Sequence, residues 1–154
     1  MKSSDCIFCK IVDGSVPSWK VFESATHMAL LTPYPNTPGF TVVIPRAHEP
    51  SELFALSNEK YLSLMSAAKN VAGILERTLH CKRVGLVAEG MGVDHAHVKL
   101  IPMHGIPDGP WKPILSNNPH FSELYEGYLT THDGPRMLDA ELTRIQNLIL
   151  SAGQ

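Results

Sequence analysis

The sequence predicts an α+β fold in which an antiparallel sheet packs against one long helix, with a C-terminal extension that ends in a helix. Three observations lead to this prediction. Residues 57–79 carry apolar side chains at helical spacing, several short segments are rich in β-branched residues, and residues 95–101 alternate between polar and apolar side chains. Strands grouped around one long helix, rather than alternating with helices, favour an antiparallel sheet.

The elements follow in chain order. They are a short helix or turn at Cys6–Val12, strands at Lys20–Ser24, His27–Thr32 and Gly39–Ile44, the long helix from the N-cap Ser57 to Leu79, strands at Arg83–Ala88 and His95–Ile101, and a final helix at Asp139–Leu150. The apolar faces of the two longer helices are predicted to carry Tyr61, Leu64, Met65, Ala68, Val71, Ala72, Leu75 and Leu79, and Leu142, Ile145, Leu148 and Ile149. Residues 102–119, rich in Pro, Gly and Asn, are expected to form an irregular arm.

The bulk properties indicate one globular domain. The chain has 154 residues, a net charge of −2 and 44% hydrophobic residues, a length that can bury a substantial core. This charge offers no general attraction to nucleic acid, and no apolar run is long enough to predict a membrane span. The first residues lack the apolar segment of a signal peptide, so we expect a cytoplasmic protein without disulfides, in which Cys81 is a small structural residue.

The segment His95–Ile101 is the most informative part of the chain. In a strand, His95, His97 and Lys99 share one face, each about 7 Å from the next, while Ala96, Val98 and Leu100 share the other. The apolar face can join a core, and the basic face suits a phosphate. The alternative is an exposed polar strand face without chemistry.

Cys6 and Cys9 form a candidate metal-binding pair. Two cysteines separated by two residues can hold one zinc ion through their thiolates, and tetrahedral coordination then needs two further ligands. The same spacing also occurs in redox pairs, although here no strand precedes it as in thioredoxin-like folds. A pair that binds nothing is the third interpretation.

Three segments in order resemble the histidine-triad (HIT) nucleotide hydrolases and transferases. They are Asp5–Ile11, which is similar to the family's N-terminal segment, Pro38–His48, which is similar to its central strand, and His95–Ile101, which is similar to its signature of three alternating histidines. The resemblance covers residues 5 to about 104. It implies a HIT-like domain over residues 1–105, commonly a homodimer, with residues 106–154 as an extension packed on the same domain.

The resemblance also implies roles for individual residues. A structural zinc would be held by Cys6, Cys9, His48 and His95, and His95, His97 and Lys99 would form the catalytic set. His97 matches the middle histidine, which in the family attacks the α-phosphorus of a nucleotide and forms a nucleotidyl-histidine intermediate. For this attack its other ring nitrogen needs an acceptor that holds the tautomer.

The resemblance also implies which residues contact the nucleoside and the phosphate, because they occupy matching positions in the sequence. Ile7, Phe8, Ile11, Leu30 and Pro33 match apolar residues around a purine base, although each could equally be ordinary core. Thr32 stands where a carboxylate or amide usually binds the ribose hydroxyls. The backbone N–H groups of Gly90 and Gly92 are candidates for phosphate contact.

Lys99 is the main departure, because the family has a third histidine there. Lysine is a poor proton donor near neutral pH, but it can hold positive charge against a phosphate oxygen. We therefore expect cleavage at a phosphoanhydride of a nucleoside or dinucleoside polyphosphate rather than at a phosphoramidate. Phe40, Ala88 and the short turn 91–94 also depart from the family pattern. A nucleotidyltransferase, a non-catalytic nucleotide sensor and a zinc-stabilised interaction module remain alternatives.

The end of the HIT-like domain and the extension offer candidates for a lid or an acceptor site. They are His104, Trp111, Lys112, Thr131, His132 and Arg136, and their types are equally common in ordinary surface loops. His104 is the strongest of them, because it follows the triad strand and could supply the missing acid.

Overall fold

The computed structural model describes residues 5–110 and 136–151, and it confirms the α+β prediction. One five-stranded antiparallel sheet has the order β1–β2–β3–β5–β4. The elements are helix α1 (Ile7–Val12), strands β1 (Lys20–Glu23), β2 (His27–Leu31) and β3 (Thr41–Pro45), helix α2 (Asn58–Leu79), strands β4 (Val84–Val87) and β5 (Val98–Pro102), and helix α3 (Asp139–Ser151). A short 3₁₀ turn at Leu53–Ala55 precedes α2. None of the helices in the described ranges has the length and hydropathy needed to cross a bilayer.

Helix α2 covers one face of the sheet, as the periodicity predicts. The Ser57 side chain accepts a hydrogen bond from the backbone N–H of Lys60 and caps the N-terminus. His80 adopts a left-handed conformation (φ 51°) directly after the last residue, and this ends the helix. The buried residues of α2 are Leu64, Ala67, Ala68, Val71, Leu75 and Thr78, while Tyr61, Met65, Ala72 and Leu79 pack at the margin of the core.

Helix α3 lies against α2 and β1, so this part of the C-terminal extension joins the same core. Leu142, Ile145 and Ile149 are buried, and the side chain of Gln146 donates a hydrogen bond of 2.7 Å to the backbone carbonyl of Lys20. The expectation that Leu148 faces inward is wrong, because it is 40% exposed. At 100° per residue it lies beside the stripe formed by the other three. The domain boundary at residue 105 stays a prediction.

Strand β5 begins three residues later than predicted, at Val98. Val43 of β3 pairs with Val98, so continuing this register would place Pro45 opposite Ala96. Pro45 has no backbone N–H, and the ladder ends before it. The N–H of Ala96 instead donates to the carbonyl of Glu49 over 2.8 Å, which keeps residues 95–97 beside the segment that follows β3.

The alternation along residues 95–100 separates two layers of the molecule. Ala96, Val98 and Leu100 are buried in the core under α2. The opposite face of the sheet carries a second apolar cluster, formed by Ile11, Met28, Leu30, Val42 and Ile44, with Phe8, Val12 and Val16 packed against it. Helix α1 therefore covers part of the face that carries His97 and Lys99, and the candidate site lies there.

Candidate active site and metal centre

Four predicted metal ligands come together at the N-terminus of α1. The ligand atoms of Cys6, Cys9, His48 and His95 all lie within 4.8 Å of one another. The sulfur of Cys6 is 3.4 Å from Nδ1 of His95, and the sulfur of Cys9 is 3.3 Å from Nδ1 of His48 and 3.7 Å from Nδ1 of His95. Zinc bonds of about 2.3 Å to sulfur and 2.0–2.1 Å to nitrogen give a tetrahedral S···N edge of roughly 3.6 Å. The donor set and its spacing therefore fit zinc.

The surroundings of His95 orient its ring toward the cysteines. The ring is fully buried, and its Nε2–H donates a hydrogen bond of 2.9 Å to the carbonyl of Pro45, so Nδ1 keeps its lone pair. Burial lowers the pKa of His95. Burial raises the pKa of the Cys9 thiol, and the hydrogen bond that this thiol donates to Cys6 raises it further. The imidazole is thus neutral and suited to ligation, and Cys9 loses its proton when a cation binds.

His97 has the hydrogen bond that the proposed chemistry requires. Its Nδ1–H donates to the carbonyl of His95 over 2.8 Å, which leaves Nε2 with a lone pair. Burial lowers the pKa of His97, and the neighbouring positive charge of Lys99 lowers it further. The ring of Phe8 contacts both imidazoles edge-on, with centroid distances of 5.6 Å. A neutral, oriented imidazole of this kind can act as a nucleophile.

A cavity of about 380 Å³ adjoins His97, between α1, β2 and the turn before His95. The predicted site residues that line it are Ile7, Phe8, Ile11, Leu30, Thr32, Pro33, Gly92, His97 and Lys99. Sequence reasoning missed Trp19, Tyr34 and Met91, which also line it. Their large apolar side chains were the one feature of the sequence that could have indicated a role in the site. The local sequence does not show that loops far apart in the chain meet at this cavity. The apolar walls and a basic end suit a ligand with a flat ring and an anionic group.

Lys99 does not stand alone in the cavity wall. Its ammonium forms an ion pair with the carboxylate of Glu89, and both side chains are largely buried. Sequence reasoning missed Glu89, because the contact depends on the β4–β5 register that pairs Val87 with Lys99.

Three of the predicted site residues make contacts other than the expected ones. Nε2 of His104 hydrogen-bonds to the carbonyl of Pro38 at 3.0 Å, and His104 is exposed and absent from the described lining of the cavity. Thr32 lines the cavity, but its hydroxyl already accepts a hydrogen bond from the N–H of Tyr34. Arg136 pairs with Asp139 at the start of α3. Trp111, Lys112, Thr131 and His132 lie outside the described residues.

Gly90 anchors the turn that carries Glu89. Its φ is +69°, and a Cβ placed there would lie 2.7 Å from the backbone oxygen of Ser51. Gly92 also has a positive φ, of +90°, but a Cβ there would meet nothing within 4 Å. Gly90 thus has a packing role against Ser51 and is not among the described residues lining the cavity, whereas Gly92 is.

We expect alanine at Gly90 to destabilise the protein more than alanine at Gly92. Both substitutions place a Cβ on a residue in the left-handed conformation, which costs about 1–2 kcal/mol of stability. Only Gly90→Ala also adds a clash with the backbone oxygen of Ser51, so its total loss of stability is roughly 3 kcal/mol or more. Denaturant unfolding of the two variants measures the difference. Equal losses would show that the turn moves freely away from Ser51.

Comparison with known proteins gives a consistent result. The family model described as HIT domain matches residues 13–107. An uncharacterized HIT-like protein of Mycoplasma genitalium is 34% identical over 108 residues, which are 66% of this chain and 75% of that protein. An adenosine 5′-monophosphoramidase of Schizosaccharomyces pombe is 34% identical over 99 residues, 63% of this chain and 73% of that protein.

Solved structures share the fold. A zinc-bound histidine triad family protein from Mycobacterium smegmatis superposes with a TM-score of 0.69 at 20% identity, covering 97% of this chain and 94% of that chain. A HIT family member from Bacillus subtilis has a TM-score of 0.60 at 28% identity, covering 71% of this chain and 83% of that chain.

Proposed function

The chain belongs to the HIT domain family, and on that premise we propose that it binds a nucleotide in the cavity and reacts at its α-phosphate through His97. The hydrogen bond from Nδ1–H of His97 to the carbonyl of His95 carries this proposal, because it leaves Nε2 as the nucleophilic atom. The apolar lining supports binding of a nucleoside base. The size of the cavity is compatible with a purine, which is the larger of the two base ring systems.

The reaction has two steps. Nε2 of His97 forms a bond to the α-phosphorus, and the bond to the leaving group breaks, with the electron pair going to the leaving group. Water or another acceptor then attacks the same phosphorus and releases its proton to solvent, and the phosphorus–nitrogen bond breaks with its electron pair returning to Nε2 of His97. Hydrolysis and nucleotidyl transfer differ only in this acceptor.

Lys99 favours a phosphoanhydride as the substrate bond. An ammonium stabilises charge on a phosphate oxygen but is a poor proton donor, so a leaving group that departs as a stable anion is preferred. The relative from Schizosaccharomyces pombe is named an adenosine 5′-monophosphoramidase, and a phosphoramidate releases an amine that needs a proton. The proposed substrates are therefore nucleoside or dinucleoside polyphosphates.

The metal and assembly proposals rest on separate observations. The cluster of Cys6, Cys9, His48 and His95 would hold a structural zinc, which would fix the backbone that carries His97.

Strand β4 lies at one edge of the sheet, and its Leu86 is 42% exposed. An edge strand of this kind supports pairing of two chains as a homodimer. We also propose a cytoplasmic location, without nucleic-acid or membrane partners.

A nucleotide sensor without turnover is the second candidate. Glu89 offsets the charge that Lys99 would otherwise offer to a phosphate in the reaction, and this specific contact favours binding without catalysis.

Intact-protein mass spectrometry tests the proposal. The protein is mixed with dinucleoside polyphosphates, nucleotide sugars and adenosine phosphoramidate, and the reaction is stopped at alkaline pH. We expect a nucleotidyl adduct on the intact protein that is absent from His97→Ala, with faster turnover of the phosphoanhydrides. Binding by calorimetry without adduct or products would favour the sensor, and the absence of binding would refute both candidates. Faster cleavage of the phosphoramidate would contradict the substrate assignment.

A further inference from the structure

Glu89 and Lys99 form a nearly buried ion pair, and Lys99 lies two residues after His97. Their side chains are 11% and 16% exposed, and the carboxylate contacts the ammonium directly. Lys99 lines the cavity, whereas Glu89 is not among the described residues that line it. The pair is therefore a dipole in the cavity wall with its positive end toward the cavity.

The backbone holds Glu89 in this position. Val87, the last residue of β4, pairs with Lys99, which brings the start of the following turn close to β5. Gly90 packs against the carbonyl of Ser51, and the N–H of Ser51 donates to the carboxylate of Asp94 over 3.0 Å. The turn is thus attached to Ser51 on both sides, and Glu89 has little freedom to move away from Lys99.

The second carboxylate oxygen of Glu89 is unusual. Oε2 is buried and has no hydrogen-bond partner among the described residues. A buried carboxylate that is only half satisfied costs free energy, and a purely structural ion pair gains most when both oxygens are bonded. Its remaining negative potential lies close to the Lys99 ammonium, because Oε1 of the same carboxylate contacts that ammonium.

The charges of the cavity then limit what it can bind. Among the described residues that line it, Lys99 is the single lysine or arginine, and none is Asp or Glu. Because Glu89 offsets Lys99, a phosphate meets a dipole rather than a free cation. A phosphate esterified on both sides carries one negative charge, whereas a terminal phosphate carries nearly two at neutral pH. The second charge would find no counterion here.

We propose that Glu89 is a positioning residue of the phosphate site: it holds the Lys99 ammonium at the cavity wall and offsets part of its charge, so that the site selects a phosphate substituted on both sides over a terminal phosphate. This inference rests on the proposed nucleotide-binding function and narrows its substrate class. At the phosphate position beside Lys99, the inference therefore favours a phosphate that is substituted on both sides over the single, terminal phosphate of a nucleoside monophosphate.

Calorimetry on the full chain tests the charge selection directly. The probes are the methyl ester of adenosine 5′-phosphate, adenosine 5′-phosphate and adenosine 5′-diphosphate, without added divalent cations. We expect the wild type to bind the methyl ester most tightly. In Glu89→Gln, which keeps the size of the side chain but removes its charge, the preference should move toward adenosine 5′-phosphate by about tenfold and depend more steeply on salt. A purely structural role would change stability without changing this ratio.

A second pair of variants tests the same inference if Glu89→Gln does not fold. Lys99→Met leaves the Glu89 carboxylate buried and unpaired, so it should weaken binding of adenosine 5′-phosphate more than binding of the methyl ester. Adding Glu89→Gln to Lys99→Met should restore the wild-type ratio. Glu141→Gln, which removes a carboxylate paired with Arg144 on α3, is the matched control and should change nothing.

Three outcomes would overturn the inference. Glu89→Gln and Glu141→Gln could leave the same ratio as the wild type, or the double variant could bind adenosine 5′-phosphate no better than Lys99→Met. In both cases the proposed function would stand, because nucleotide binding itself is intact. If the wild type binds none of the three probes, the proposed function fails and this inference fails with it.

Discussion

Replacing His97 with alanine is expected to reduce turnover at least about a thousandfold and to abolish the nucleotidyl adduct. The substitution removes the only atom assigned to attack phosphorus, Nε2, while the apolar lining and Lys99 remain. The dissociation constant of the nucleotide should therefore change by less than about threefold, because the lining supplies the affinity. Single-turnover kinetics with calorimetry on the same preparation separates the two effects.

His104→Ala is the matched control, because it removes an imidazole that hydrogen-bonds to the carbonyl of Pro38. Turnover of this variant should equal that of the wild type. If His104→Ala were as impaired as His97→Ala, the arm after β5 would have to reach the cavity during the reaction. Retention of more than about a tenth of the activity in His97→Ala would exclude a histidine nucleophile.

The elements of this fold were predictable because their signals are local. The alternation of His95–Ile101 has the period of a strand, and the segment after Ser57 has the period of a helix, so each pattern identifies a buried face. The cluster of Cys6, Cys9, His48 and His95 was not available from spacing alone. This ligand set was predicted from the resemblance to the HIT family. Its members lie on three separate segments of the chain, and only the folded sheet brings them together.

The parts that could not be predicted depend on register and on loops. Pro45 ends the β3–β5 ladder only because Val43 pairs with Val98, and no local pattern contains that register. For the same reason the turn after β4 gave no indication that Glu89 reaches Lys99. Trp19 and Tyr34 line the cavity from loops flanking β1 and β2, and no local pattern indicates that these two loops meet.

Removal of the proposed zinc is the second large effect we expect, with a loss of roughly 3–5 kcal/mol in the free energy of unfolding. The physical reason is that two thiols and two imidazoles meet in a partly buried cluster, and a bound cation converts their weak mutual contacts into four ligand bonds. Elemental analysis should find one zinc per chain, and a chelator should lower the midpoint of thermal unfolding. Cys9→Ser should lower it similarly and remove the response to the chelator.

Cys81→Ala is the matched control for a lost thiol. Cys81 is buried near the end of α2, and its sulfur lies 3.9 Å from the carbonyl of Leu75, away from the cluster. This variant should lose some stability through packing but keep the full response to the chelator. Equal responses in Cys9→Ser and Cys81→Ala, or a protein without zinc, would identify the cluster as a hydrogen-bonded group of thiols and imidazoles.

The Cys9→Ser variant should also affect catalysis, because His95 contributes its ring to the cluster and its backbone carbonyl to the hydrogen bond of His97. Its ring is oriented toward the cysteines, and its backbone carbonyl accepts the hydrogen bond that holds His97. When the cluster is opened, the backbone at His95 gains freedom, and the Nδ1–H of His97 loses a fixed acceptor. Cys9→Ser should therefore lower kcat by about tenfold or more, while KM changes little, because the cavity lining stays in place. A variant that lost stability but kept the wild-type kcat under folding conditions would separate the cluster from the orientation of His97.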